Sequence, residues 1–166
     1  MFSARFDIVT ALLVFLMALF SSKVEYALRA LVDLAGRPEG TPVQNRELAA
    51  AQDIPESYLN QLLVTLRRAG LVRSVRGAAG GYTLHGSPAS IAVADVVRVF
   101  HGEDYFGGRG PGTAPADDAV SAAWVVSQAE QAAGAELQRH LAGVTLADLL
   151  LEQQRLNAAQ SLMQGL

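Results

Sequence analysis

Apolar residues recur along the chain at Val24, Ala27, Leu28, Leu31, Val32 and Ala35. This is the i, i+3, i+4, i+7 spacing of one buried helical face, and it predicts a helix from Ser22 to Leu34. Gly36, Pro38 and Gly40 stop it, because glycine suits the position past a helix end and proline cannot extend the ladder. A second, shorter helix is predicted from about Asn45 to Gln52, with Leu48 and Ala49 inward. After a brief turn at Asp53 and Ile54, Pro55 suits a first helical position. The third helix runs from there to Arg68, burying Leu59, Leu62, Leu63 and Leu66, and Gly70 ends it. The period then changes. Residues 71–75 (LVRSV) and 82–84 (YTL) alternate, and Arg76-Gly77-Ala78-Ala79-Gly80-Gly81 between them reads as a glycine-rich hairpin tip.

Beyond the hairpin, Val93 to His101 is a one-faced helix, followed by a glycine-rich loop from Gly102 to Thr113. A long alanine-rich helix is predicted from about Ala116 to Leu141, holding the single tryptophan, Trp124. Thr145 and Asp148 have the spacing of a capping box, with Asp in place of Glu or Gln, and a last helix runs from Leu146 to about Met163. Three helices and then a two-stranded hairpin, with a tight turn between the second and third helices, is the winged helix-turn-helix order. The expected fold is therefore mainly α: a winged helix-turn-helix domain over residues 21–101, a loop over 102–115, and a helical region over 116–166 containing a long C-terminal dimerisation helix.

Residues 1–20 stand apart. Ile8 to Phe20 is almost unbroken apolar sequence. At the rise of an α-helix its thirteen residues cover roughly 20 Å, short of the ~30 Å hydrocarbon core of a bilayer. A spanning helix and a membrane partner are not expected. Three readings stay open: a signal peptide, whose order of parts it shares; an amphipathic segment covering a partner; and an extension ahead of a start at Met17. The last is preferred, and with it a cytoplasmic location.

The net charge of −3 argues against nucleic acid until its distribution is seen. Residues 23–86 hold eight Lys/Arg against six Asp/Glu, whereas residues 87–166 hold four against nine. A basic front and an acidic back suit a protein that meets phosphates with one end. The absence of cysteine removes disulfides, thiolate-held zinc and ordinary iron–sulfur ligation. His85, His101 and His140 have no i, i+4 partners, so no metal site is expected; His101, Asp104 and Asp118 form only a weak candidate near the loop. No nucleophile–base pair or cofactor fingerprint is present, and the chain does not read as an enzyme.

The string SSKVEYALRALVDLA, then IPESYLNQLLVTLRRAGLVRSVRGAAGGYTL, then SIAVADVVRVFHGED and VTLADLL, resembles the Rrf2 family of bacterial transcriptional regulators. The resemblance covers residues 21–104 and 144–150. It implies a sequence-specific DNA-binding regulator, expected to act as a repressor. It also implies a homodimer whose two winged helices meet the half-sites of a pseudo-palindromic duplex. Many members of the family carry three cysteines between the helix after the wing and the dimer helix, holding an iron–sulfur cluster. The matching loop here, Gly102 to Asp118, has none, so no cofactor is expected. The signal is expected to come from an unidentified effector or partner protein.

Within that frame each residue acquires a role. A recognition helix presents its N-terminal residues to base edges. Ser57, Asn60 and Gln61, with Glu56 beside them, can hydrogen-bond bases, and Tyr58 can lie on the sugar-phosphate backbone. Arg67, Arg68 and Arg73 are candidates for phosphate neutralisation, with Lys23 and Arg46 as weaker ones. Arg76 suits a narrow A·T-rich minor groove, with Gly77, Gly80 and Gly81 letting the backbone turn and approach. Val120, Trp124, Leu137 and Leu141, around a run of alanines, are the expected dimer interface. The competing function is a winged-helix interaction module that has lost DNA binding.

Overall fold

The computed structural model describes residues 21–77, 79–106 and 121–164. Expectations for residues 1–20, for Ala78 and for the stretch 107–120, including Val120 and Asp118, lie outside these. The chain divides after Leu84 into two compact units.

The first unit holds α1 (Ser22–Ala35), α2 (Asn45–Gln52), α3 (Glu56–Arg68), β1 (Val72–Val75) and β2 (Gly81–Leu84). Each lies within a residue of its expected bounds. Val24, Ala27, Ala30, Leu31 and Leu34 from α1 are buried together with Leu48, Ile54, Leu59, Leu62, Leu63, Leu66 and Val72. Each fully buried leucine of such a core contributes about 1.5–3 kcal/mol. Between α2 and α3, Asp53 takes the left-handed conformation (φ 51°, ψ 52°), where a short polar side chain is better tolerated than most. The Ile54 amide then closes the turn by donating to the Ala49 carbonyl at 3.0 Å. The result is a tight helix-turn-helix.

The hairpin pairs Val72 with Leu84, Arg73 with Thr83, Ser74 with Tyr82 and Val75 with Gly81, antiparallel. Val43, just before α2, adds a third short rung. Its amide donates to the Tyr82 carbonyl at 2.9 Å, and the Tyr82 amide returns the bond at 2.8 Å. This approach is so close that a Cβ on Gly81 would lie 2.2 Å from the Val43 carbonyl oxygen. Only glycine fits.

The second unit contains α4 (Val93–His101), α5 (Ala122–Ala142) and α6 (Leu146–Gln164), with 3₁₀ turns at Pro88–Ser90 and Glu103–Phe106. Thus α4, expected to belong with the winged domain, groups with the C-terminal helices. Two segments distant in sequence are stitched together: the Val93 amide donates to the Val144 carbonyl at 2.9 Å, and the Leu146 amide to the Ile91 carbonyl at 3.0 Å. The capping box before α6 forms with its unusual aspartate. The Thr145 amide and hydroxyl both donate to Asp148 Oδ2, at 2.8 and 2.7 Å, and the Asp148 amide donates to the threonine oxygen at 3.3 Å.

Two expectations are corrected here. The long helix starts at Ala122 rather than Ala116, because Ser121 is extended and caps it, its Oγ accepting from the Trp124 amide at 3.2 Å. Leu141, expected at a dimer interface, has no exposed surface and belongs to this unit's own core with Leu146, Val93, Val96, Val97 and Phe106.

Candidate nucleic-acid interface

The α3 helix carries two stripes. Leu59, Leu62, Leu63 and Leu66 face the core. On the opposite side Ser57, Gln61, Val64 and Arg68 recur at i, i+4, i+7 and i+11, one line along the outside of a helix. Ser57, Gln61 and Arg68 are exposed and Val64 half-buried. Asn60 is exposed on one edge of this stripe. Tyr58 lies on the other edge, half-buried, its ring meeting that of Tyr26 edge-to-face with centroids 6.0 Å apart. Val64 is the residue that sequence reasoning passed over. The helical spacing that marks the leucine face would have placed it on the outer one.

The start of α3 is fixed from a neighbouring helix. Asn45, at the start of α2, donates through Nδ2 to the Glu56 carbonyl at 3.1 Å and sits 3.5 Å from its carboxylate. Glu56 is therefore a strut as well as an exposed acid. Behind the motif, Arg37 bonds Asp33 at 2.9 Å and Glu47 at 3.1 Å, and Gln52 donates to the other Asp33 oxygen at 2.8 Å. The bond to Asp33, aided by its charge and then by Glu47, raises the Arg37 pKa further above its ordinary value.

The four cations of residues 67–76 sit on different elements. Arg68 lies on the outer stripe of α3. Arg67 turns toward the hairpin, where its guanidinium donates to Ser74 Oγ at 3.4 Å. Strand alternation sends Arg73 to the face opposite Ser74. Arg76 is exposed at the hairpin tip. There Gly77 has φ 116°, a conformation other residues avoid, and the Gly80 amide closes the tip on the Gly77 carbonyl at 2.9 Å. A Cβ at Gly80 would lie 2.4 Å from the Val75 carbonyl oxygen, so both Gly80 and Gly81 are demanded by the hairpin itself.

Charge pairing separates the arginines sharply. Among the described residues, Arg29, Arg37, Arg98, Arg139 and Arg155 each face a carboxylate. Arg46, Arg67, Arg68, Arg73 and Arg76 pair with no carboxylate among the described residues. Arg46 and Lys23 also stand in the first turns of α2 and α1, where the helix dipole disfavours a cation. All of these uncompensated cations belong to the first unit.

This arrangement coincides with what comparison with known proteins shows. A family model for Rrf2, described as an iron-dependent transcriptional regulator, matches residues 20–152. The chain belongs to the Rrf2 family. An HTH-type transcriptional regulator of Synechocystis sp. is 33% identical over 141 residues, covering 84% of this chain and 92% of that one. CymR of Bacillus subtilis is 40% identical over 82 residues, 49% of this chain and 59% of CymR. Among solved structures, IscR of T. potens superposes with a TM-score of 0.65 at 34% identity, over 81% of this chain and 87% of that one. The structure of CymR, described as the global cysteine regulator of B. subtilis, gives 0.64 at 29% identity, over 80% and 96%. This Rrf2 protein is thus a winged helix-turn-helix transcriptional regulator of a DNA-binding class, not an enzyme.

The family's description names iron, and the donor set here does not suit a thiolate-held iron–sulfur cluster. No cysteine exists anywhere in the chain, so a thiolate-held cluster has no ligands. Among the described residues no three His, Asp or Glu side chains gather closely enough to hold a metal ion. His101 instead stacks on Tyr105 at 4.3 Å, and Asp104 is exposed beside it. No described helix is long and apolar enough to cross a membrane.

In the second unit, Trp124 is half-buried with its indole N–H enclosed and without a hydrogen-bond partner among the described residues, and Leu137 is half-buried. Val125, Val126, Leu151 and Leu156 are exposed although large and apolar. None of these four was singled out from sequence; Val125 and Val126 lie on the alanine-rich α5, which offers little contrast between faces, and Leu151 and Leu156 lie on α6.

Proposed function

We propose that this Rrf2 protein is a sequence-specific repressor that binds a pseudo-palindromic duplex as a homodimer, in the cytoplasm and without an iron–sulfur cluster. The observation that carries the reading is the segregation of unpaired cations around an outward polar stripe. Ser57, Gln61 and Asn60 are placed to bond base edges in the major groove, and Val64 to touch a thymine methyl. Tyr58, Arg67, Arg68 and Arg73 grip phosphates on either side, with Lys23 and Arg46 adding to them. Arg76 enters the adjacent minor groove, held at the wing tip by the turn that Gly77, Gly80 and Gly81 permit. Dimerisation runs through α5, with Trp124 and Leu137 and with Val125 and Val126 beside them. A dimer seated on a promoter excludes polymerase. The missing cysteines support regulation by some other effector or by a partner protein.

The test is binding to duplex DNA across a salt series. Affinity should fall steeply as salt rises, as it does when several phosphates are neutralised. Arg76→Ala should weaken binding about tenfold or more, and most where the flanks are A·T-rich. Iron chelation should change neither. Salt-insensitive or absent binding points instead to an interaction module that has lost DNA.

A further inference from the structure

The leucine stripe of α3 fixes how deeply the helix sits, with Leu59 as its buried residue in the first turn. That turn has Pro55 as N-cap, with no side-chain cap bond. Two other contacts hold it. Asn45 of α2 bonds the carbonyl of Glu56, and Tyr26 of α1 meets the ring of Tyr58 edge-to-face, at an interplanar angle of 85°. Glu56 and Tyr58 lie about 200° apart around a helix of 3.6 residues per turn. The two contacts therefore clamp the turn from opposite flanks and leave Ser57 between them, facing outward.

The tyrosine side of this clamp is itself built from all three helices. The Arg29 guanidinium lies over the Tyr26 ring, 5.4 Å from its centroid. It also donates to the carbonyl of Gln52, the last residue of α2, and faces Glu25 at 3.6 Å. Gln52 is in turn tied to Asp33 of α1 at 2.8 Å. Arg29 thus draws its contacts from α1 and α2 of the motif itself, whereas the arginines read as DNA contacts meet no carboxylate among the described residues. A cation on one face of Tyr26 and an aromatic partner for its ring confine that side chain between fixed neighbours.

We propose that Tyr26, braced by Arg29, is a positioning residue of the reading head. It sets the roll of the first turn of α3 through Tyr58, and so aims Ser57 and Gln61 at the bases without touching DNA itself. The inference rests on α3 being the helix that enters the major groove. A small roll of that helix takes Ser57 and Gln61 out of line with the base edges, whereas the long, flexible side chains of the phosphate-gripping arginines can readjust to it. Base discrimination is therefore the property that depends on Tyr26, and overall electrostatic affinity is not.

The experiment uses the full chain and a duplex that the parental protein enriches from a random library, beside the same duplex with one base pair changed under α3. Tyr26→Leu should reduce the ratio of the two affinities about tenfold, the scale of one mismatched contact, while leaving the slope of affinity against salt unchanged. Tyr26→Phe keeps the ring and should hold the ratio within about twofold of the parental value. Arg29→Met, which leaves the aromatic pair in place, covers the case in which Tyr26→Leu does not fold, and should lower the ratio by a smaller factor. Unaltered discrimination in a folded Tyr26→Leu or Arg29→Met protein overturns the proposal. So does an equal loss on both duplexes, especially if Tyr26→Phe shares it, since that marks a direct hydroxyl contact with the sugar-phosphate backbone. If the parental chain enriches no sequence at all, the reading of α3 fails, and this inference fails with it.

Discussion

The two units of this protein solve the burial problem differently. In the first, three short helices and a hairpin enclose their apolar residues almost completely, and Val75, at 42% exposure, is the one exposed large apolar side chain among its described residues. In the second, two long helices leave Val125, Val126, Leu151 and Leu156 in solvent, and among their described residues only Leu141 and Leu146 are fully covered. A helix longer than the core beside it must either be polar all round or find another surface. The first unit therefore covers its own apolar residues and shows its charges outward, whereas the second leaves apolar surface for the second copy proposed above.

The largest test of that contrast is a matched pair of leucine deletions. Leu63→Ala empties a fully buried site in the first unit and should cost about 2–5 kcal/mol by denaturant unfolding. Leu151→Ala removes the same atoms from a side chain that is 66% exposed, and in dilute solution should change stability by no more than about 0.5 kcal/mol. If Leu151→Ala proves equally costly at every protein concentration, the residue is covered within one chain and the contrast fails. A cost that appears only as concentration rises instead shows a second copy covering it.

A smaller effect is expected at Gly81. Its missing side chain lets Val43 and Tyr82 exchange two hydrogen bonds, and a methyl there would overlap the Val43 carbonyl. Gly81→Ala should cost about 1–3 kcal/mol, the usual range for forced overpacking, and should raise amide exchange at Val43 and Tyr82 before exchange within α3. Unchanged protection at those two amides would show that the rung is not held by this approach.

These cases also show which parts of the molecule could be read in advance. The bounds of α1, α2 and α3 were legible because local signals agree: an apolar period, a proline at the start of α3, and glycines after the ends. The outer stripe of α3 follows from the same period, so Ser57 and Gln61 were visible, and Val64 could have been. What could not be read depends on residues far apart. The rung between Val43 and Tyr82 and the stitch joining residues 91–93 to 144–146 leave no local trace. Nor could sequence decide whether Leu141 faces its own core or a partner, because an apolar residue on an alanine-rich helix fits both. The cluster of Arg67, Arg68, Arg73 and Arg76 was visible as composition, but its division among a helix, two faces of a hairpin and a tip required the register.

The smallest effect concerns the cap of α6, where the second unit does satisfy itself. The bonds from the Thr145 side chain, and then from its backbone, lower the Asp148 pKa from the ordinary aspartate value. A carboxylate that binds its proton more weakly when folded stabilises the fold in its ionised form. That contribution is complete above about pH 4, the range of unfolded aspartate, and disappears as the pH drops through the folded value. Asp148 is solvent-exposed, so screening keeps the effect small. Asp148→Asn keeps an acceptor at the same place without the titration. The difference in unfolding free energy between the parental and Asp148→Asn proteins, measured at pH 7 and again near pH 3, should therefore shrink as the carboxylate is protonated. A difference that stays constant across that range would mean that the charge of Asp148 adds nothing to the cap beyond its shape.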